Sequence, residues 1–423
     1  MKIYNLFPLL AGDVKDWMPH ATRAAEMGFD HLFVNPIHAP GMSGSLYSIR
    51  DYFDLNPLIS EGKNPQERAA GFRRVAGEIE SKGLKLIADL VVDHCAIDSP
   101  LVKEHPDWFL HEDGKIAHPW CLENKKKVVW GDLAQFDLKK SPDAEGLYQY
   151  LFKVVLFLID LGFTGFRCDA AYQVPAPFWK RLIGEARKRR ADLVFFAETL
   201  GCSPAQLVET AQAGFDYIFN SSKWWNFREP WLMEQYNRTR DVAKSVSFPE
   251  SHDTPRLAEE MNGNLDALKQ RYFFSALFSA GVMIPIGFEF GFRKRLHVVK
   301  TRPEDWEQSE INLTGFIRTM NRIRSENPVF HEDAPTDIIP CANPEILLMR
   351  KSSWRAGQQA LLILNKDVSR KQPFHAENLY DFVHTDGPLR DVSPEYPLDY
   401  LPTPYNYDLR PGQGIVLVTK KAR

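Results

Sequence analysis

Short apolar or β-branched runs recur along the chain, separated by stretches whose apolar positions return at helical spacing. The runs are KIYNLF (2–7), HLFVNPI (31–37), KLIADLVV (85–92), GFRCDA (165–170), LVFFAET (193–199), YIFNS (217–221), KSVSFPES (244–251) and VMIPIGFEF (282–290), eight in all. Between them, VKDWMPHATRAAEMG (14–28), NPQERAAGFRRVAGEIESKG (64–83), GLYQYLFKVVLFLIDLG (146–162) and APFWKRLIGEARKRRA (176–191) read as helices, several closing on Gly. Eight strands alternating with helices predict an α/β fold, the (β/α)8 TIM barrel.

Two stretches break the alternation. Residues 95–138, between the third and fourth strands, carry Pro, His, Trp and a Lys run instead of one clean helix, and predict a short excursion over the barrel mouth. The run Lys125 to Lys127 reads as a solvated turn. After INLTGFIRTMNRIRSENP (311–328) the pattern changes to ILLMRKSS, QALLILNKD, KQPFHAENLYDFV and GIVLVTK with Pro-rich turns between. The expected division is a catalytic barrel over 1–328 and a C-terminal antiparallel β-sandwich domain over 329–423.

Composition narrows the function classes. With 52 basic against 55 acidic residues mixed along 423 positions, the net charge of -3 offers no footprint for nucleic acid or an anionic membrane, and a neutral substrate fits. No run of 18 or more apolar residues occurs, and the opening MKIYNLFPLLAG is interrupted by Asn5 and Pro8, unlike a signal peptide. The five cysteines are scattered without a CxxC pair, which argues against a disulfide framework or a zinc knuckle. A cytoplasmic protein is expected.

The ionisable residues fall where an enzymatic barrel keeps its chemistry, at the C-terminal ends of strands. Strand three ends in Asp89, Asp93 and His94, strand four in Arg167 and Asp169, strand five in Glu198, strand seven in His252 and Asp253. Arg167 and Asp169, two apart in a strand, point to the same side, and burying such a pair is seldom favourable for stability alone. Asp169 and Glu198 are 29 positions apart, one βα unit, so they cap neighbouring strands. Two carboxyls about 5–5.5 Å apart are the equipment of a retaining glycosidase. On this reading Arg167 keeps Asp169 ionised, while apolar neighbours and the charge of Asp169 raise Glu198 into the range of a general acid.

These residues resemble the α-amylase family, glycoside hydrolase family 13. DLVVDH, GFRCDA, FFAET and SHDT are similar to its four conserved regions in order, over about residues 1–325, and GFEFG (287–291) resembles its eighth-strand signature. The resemblance implies Asp169 as nucleophile, Glu198 as general acid/base and Asp253 as the third carboxylate gripping sugar hydroxyls. It adds Tyr47, from YSIRDY, as stacking platform, with Asp89, His94, Arg167 and His252 as further substrate-binding residues. Asp93 stands where many members have a calcium-ligating Asn, so neither a metal nor another cofactor is expected. Leu46 replaces a common Gly, and Cys168 reads as a small buried wall residue.

Both hydrolysis and transglycosylation use such a covalent glycosyl-aspartate intermediate, so the triad leaves them open. The expected partner is an α-1,4-glucan or maltooligosaccharide, with hydrolysis placed ahead of transfer; oligomeric state is not fixed. The excursion SPLVKEHPDWFLHEDGKIAH (99–118) resembles that of maltosyltransferases using maltose 1-phosphate. An alternative of another class is an amylase-like binding subunit without catalysis. In SSKWWNFREPW (221–231), Trp224 and Trp225 read either as outer sugar platforms or as core.

Overall fold

The computed structural model describes residues 1–123, 126–384 and 387–419. The strands β1 (Lys2–Leu6), β2 (His31–Val34), β3 (Lys85–Leu90), β4 (Phe163–Cys168), β5 (Val194–Ala197), β6 (Tyr217–Phe219), β7 (Lys244–Ser247) and β8 (Gly281–Pro285) close into a parallel barrel in the order β1-β8-β7-β6-β5-β4-β3-β2. Each is followed by a helix: α1 (Met18–Glu26), α2 (Pro65–Ser81), α3 (Ala144–Asp160), α4 (Ala176–Arg189), α5 (Pro204–Ala211), α6 (Trp231–Thr239), α7 (Leu265–Phe278) and α8 (Thr314–Glu326). The barrel is the one read from the sequence. Its strands stop short of the apolar runs: β7 ends before Pro249, and the run after β8 turns into a single 3₁₀ turn at Phe288–Phe290.

The helices form for local reasons. In α2 the side chains of Phe72, Val75, Ala76 and Ile79 make one buried stripe, and Asn64 caps the first turn by accepting from the Glu67 amide at 2.9 Å. Ser203 and Gln206 form a reciprocal capping box on α5. α7 has no polar face of this kind, since Gln270 and every residue from Tyr272 to Phe278 are buried. It is covered on its outer side by the C-terminal segment, where Gln270 donates to the carbonyls of Asn365 and Lys366.

That segment contains β9 (Thr336–Ile339), β10 (Ile346–Ser353), β11 (Gln358–Asn365), β12 (Gln372–Ala376), β13 (Leu389–Asp391), β14 (Tyr405–Leu409) and β15 (Gly414–Thr419). A five-stranded antiparallel sheet, β9-β10-β11-β15-β13, packs against the pair β12-β14. Alternation accounts for both faces of the large sheet. Leu348, Leu361, Ile363 and Leu417 face Phe374, Tyr405 and Leu409 in a separate core, while Leu347, Leu362, Leu364 and Val416 join the core of the barrel.

Inside the barrel the same period of two positions the site. Ile3, Phe33, Ile87, Phe196, Phe219, Val246 and Met283 form an apolar plug to which seven of the strands contribute. Two residues beyond Ile87 and Phe196 come Asp89 and Glu198, and Gly165 is followed at the same spacing by Arg167 and Asp169. Polar groups therefore sit on top of a dry core. Over them lie the hairpin of 38–40 with 49–55, which carries Tyr47 in its loop, and the excursion, where the strand 94–96 pairs with 133–135 and two short hairpins lie between them in the chain. Of the Lys run placed there, Lys125 lies outside the described residues; Lys126 and Lys127 are exposed on a hairpin strand.

Candidate active site

β4 and β5 are hydrogen-bonded neighbours, with Cys168 opposite Ala197, so Asp169 and Glu198 extend adjacent strands by one residue each. The backbone binds them further: the Glu198 amide donates to the Cys168 carbonyl at 3.0 Å and the Asp169 amide to that of Leu90 at 3.0 Å. Ala170, immediately after Asp169, has φ +40°, a left-handed conformation that is uncommon for a residue with a Cβ. That turn aims the Ala170 amide at the carboxylate of Glu198, which accepts from it at 3.1 Å and from the Leu200 amide at 2.5 Å.

Arg167 is the hub beneath. Its Nη1 donates to Asp89 Oδ1 at 2.8 Å and to Asp169 Oδ1, and its Nη2 lies 3.9 Å from Asp253 Oδ2. Asp89 also accepts from the Tyr47 hydroxyl at 2.7 Å. His252 Nε2 lies 2.7 Å from that hydroxyl and 3.0 Å from Asp253 Oδ2, and its ring is nearly parallel to that of Tyr47. Asn35 donates to the Tyr47 hydroxyl at 3.1 Å and accepts from Asn5 at 2.9 Å, which ties the ring down to β1. His94 Nδ1 stands 3.0 Å from Asp93 Oδ1, and its Nε2 donates to the Tyr47 carbonyl at 3.1 Å.

Electrostatics separates the carboxyls. Burial raises Glu198 to about 8; Arg167 opposes this and the negative charge of Asp169 adds to it. Asp169 is also raised by burial, to about 6, with Arg167 pulling the other way. Arg167 favours the charged form of Asp169, as the sequence leads one to expect, but burial outweighs the guanidinium, which is shared with Asp89. Asp253, whose side chain is half-exposed, is brought down to about 2 against the effect of burial, by His252 first and Arg167 after it. At neutral pH this leaves Glu198 largely protonated and Asp169 and Asp253 largely ionised, an acid beside a nucleophile-grade carboxylate.

The cavity over these groups is about 450 Å³ and is lined by Asp169, Glu198, Asp253, Tyr47 and His94. Arg167 and His252 floor a narrow recess that shares Glu198 and Asp253 with it. Asp89 departs from its expected part. Its carboxylate is fully buried and engaged by Tyr47 and Arg167, so it holds those two side chains and is not among the residues lining the cavity or the recess. Asp93, at the position of the calcium-ligating Asn, is turned onto His94, which does not fit an oxygen cage for that ion; among the described residues no cluster of three or more His, Cys, Asp or Glu is arranged to hold a metal.

The cavity also uses residues that the sequence reading passed over: Trp130, Tyr172, Gln173, Val298 and Val299. Tyr172 and Gln173 follow Asp169 by three and four positions, which was a usable signal; the two valines gave none. Of the paired tryptophans, Trp225 is core, edge-on to Phe227 and tilted against Phe274, whereas Trp224 is half-exposed with its ring edge-on to Phe248. Cys168 is fully buried, and burial pushes its thiol well up.

Comparison with known proteins agrees with this architecture. The family described as "Glycogen debranching enzyme, glucanotransferase domain" matches residues 1–113. The alpha-1,4-glucan:maltose-1-phosphate maltosyltransferase of Burkholderia pseudomallei is 26% identical over 373 residues, covering 85% of this chain and 32% of that protein. Its counterpart from Pseudomonas aeruginosa is 26% identical over 413 residues, 88% of this chain and 60% of that one. The chain thus spans between a third and three-fifths of the length of these relatives. Among solved structures, the alpha-amylase of Geobacillus thermoleovorans complexed with acarbose superposes with a TM-score of 0.79 at 16% identity, covering 100% of this chain and 98% of that one. Trehalose-6-phosphate hydrolase of Bacillus licheniformis gives 0.76 at 14%, covering 99% of each. The chain shares the barrel and C-terminal sheets of these enzymes, and in sequence it is similar to the maltosyltransferases.

Proposed function

From this resemblance to the α-amylase family, we propose that the protein is a retaining enzyme acting on α-1,4-linked glucans or maltooligosaccharides. The observation that carries the reading is the pair Asp169 and Glu198 at the ends of hydrogen-bonded strands, opening into one cavity and held at different protonation states. Asp169 attacks the anomeric carbon while Glu198 gives its proton to the departing oxygen; Glu198 then takes a proton from the acceptor as it displaces Asp169. Asp253, ionised beside His252, accepts hydrogen bonds from sugar hydroxyls and stabilises positive charge at the anomeric centre. Tyr47 supplies the apolar face under that sugar, with His94 lining the cavity beside it and His252 in the recess below.

Water or a second sugar can take the acceptor's place. Hydrolysis is the first reading, and maltosyl transfer from maltose 1-phosphate is the second, favoured by the names of the relatives and by the similarity of residues 99–118. A non-catalytic binding role is disfavoured because all three carboxylates are present and converge on the cavity. The free thiols of Cys95, Cys168, Cys202 and Cys341 support a cytoplasmic setting; among the described residues no helix is long and apolar enough to cross a membrane. The deciding experiment incubates the purified protein with maltooligosaccharides, with and without maltose 1-phosphate. Shortened products alone indicate hydrolysis, and phosphate release with products longer by two glucose units indicates transfer. Inertness under both conditions overturns the proposal.

A further inference from the structure

A second cavity, of about 650 Å³, is at the other end of the barrel. Lys244 opens β7 and Asp216 directly precedes β6, so both sit at the N-terminal end of the barrel, opposite the end that carries Asp169, Glu198 and Asp253. Arg240 and Asp241 line it, as does Trp354 at the tip of the β10–β11 hairpin. Its indole is 89% exposed, more than any other large apolar side chain among the described residues. Burying a tryptophan is worth a few kcal/mol, so one left bare beside a cavity is a surface awaiting contact.

The tip is fixed in place. Ser353 Oγ donates to Glu332 and accepts from the Ala356 amide at 2.9 Å, Arg355 lies 3.9 Å from the same Glu332, and Gly357 takes φ +56° to close the turn. Glu332 itself precedes Asp333, whose carboxylate caps the amides of Ser245 and Ala280 at the barrel floor at 2.5 and 2.7 Å. The indole therefore stands on a braced turn beside polar walls of both signs. This combination selects the ligand chemistry. A nucleic acid or anionic membrane calls for an excess of cations, which the mixed walls lack. A pyranose chain offers flat C–H faces for an indole and hydroxyls that both donate and accept, suiting neighbouring carboxylates and guanidinium groups.

We infer that this cavity is a second carbohydrate site, which holds a segment of an α-1,4-glucan chain against Trp354, with Arg240 and Asp241 bonding its hydroxyls. The ligand class rests on the proposed function. Because the site faces away from the catalytic cavity, it tethers long chains and raises their local concentration without touching the reaction on short ones.

The test is gel electrophoresis of the intact protein through glycogen, alongside turnover of an aryl maltotrioside. Trp354→Ala and Asp241→Ala should weaken retardation by glycogen, about tenfold for the indole, while leaving turnover of the short substrate unchanged; Trp354→Phe should restore part of the retardation. Retardation of Trp354→Ala equal to that of wild type overturns the inference and leaves the catalytic proposal standing. Sedimentation showing a wild-type dimer that Trp354→Ala converts to monomer also overturns it, by making a second copy the occupant. Weakened retardation in a protein that turns over no glucan supports the second site and fells the catalytic proposal instead.

Discussion

Asp93 and His94 are consecutive in the chain and buried, and their side chains meet at 3.0 Å, carboxylate Oδ1 to imidazole Nδ1. The other ring nitrogen donates to the Tyr47 carbonyl, while Nδ1 and Oδ1 stand close without forming a hydrogen bond, so it is the charge of Asp93 that favours the imidazolium. Burial disfavours that charge, but Asp93 outweighs it and His94 is raised.

Replacing Asp93 with Asn removes the counter-charge and should lower the titration midpoint of His94, read by NMR of the labelled imidazole. The raised His94 contributes stability that is fully present below its unfolded value near 6.5 and is lost as pH rises through the folded one. Asp93→Asn should therefore cost about 1–3 kcal/mol at pH 6, and the gap should narrow as the pH is raised. An unchanged midpoint would mean that the two side chains are neighbours without electrostatic consequence.

A second expectation concerns the pH profile. Asp169 at about 6 must lose its proton to attack, and Glu198 at about 8 must keep one to protonate the leaving group. Activity on unactivated maltooligosaccharides should then be bell-shaped in kcat/KM, falling below about 6 as Asp169 protonates and above about 8 as Glu198 ionises. Glu198→Gln should lower kcat/KM on these substrates by about 10³-fold. With a glycosyl fluoride, whose leaving group needs no acid, the same variant should lose less and should lack the alkaline limb. An alkaline limb that persists there belongs to another group.

The barrel was legible because each strand is a short apolar run closed by a turn, and because period two carries Ile87 to Asp89 and Phe196 to Glu198 on one face. The proposed catalytic carboxyls stand out for the same reason, as acids where the pattern calls for an apolar residue. What pattern does not encode is the competition between burial and charge. The order of Arg167 and Asp169 along β4 shows that they share a face, but not that Asp89 takes half of the guanidinium and that Asp169 ends raised. Nor did it mark β9, β13 and β14, which are too short or too polar to alternate visibly, as in the YNYDL of β14. Trp130, Val298 and Val299 reach the cavity from irregular segments whose course depends on packing far along the chain.

A third expectation tests a buried charge the fold uses only structurally. Arg324 on α8 is 1% exposed and donates to the carbonyls of Ala276, Ser279 and Ala280, where α7 ends and β8 begins. Arg324→Met removes a desolvated charge but leaves three buried carbonyls short of a donor. The second effect is the larger, and unfolding in urea should show a loss of about 2–4 kcal/mol. Because the contacts lie at the barrel floor, kcat/KM below the unfolding transition should stay unchanged. A neutral effect on stability would mean that water replaces the guanidinium.

The last expectation concerns stereochemistry and follows from the adjacency of β4 and β5. Strand neighbours carrying Asp169 and Glu198 one residue past Cys168 and Ala197 leave no strand between the two carboxyls. A separation of about 5–5.5 Å forces two displacements at the anomeric carbon, by Asp169 and then by the acceptor, and the product keeps the α configuration. Proton NMR of fresh product, before mutarotation, reads the anomer directly. A 5-fluoro glycosyl fluoride should trap the intermediate, since fluorine on the ring slows both steps while the fluoride leaving group keeps formation ahead of breakdown. Peptide mass mapping should then place the ester on Asp169, within GFRCDA. A β product would mean that a water fits between the carboxyls and the reaction inverts. An ester on another residue would keep the two-step mechanism but move the nucleophile off β4, and with it the reason for burying Arg167 beside Asp169.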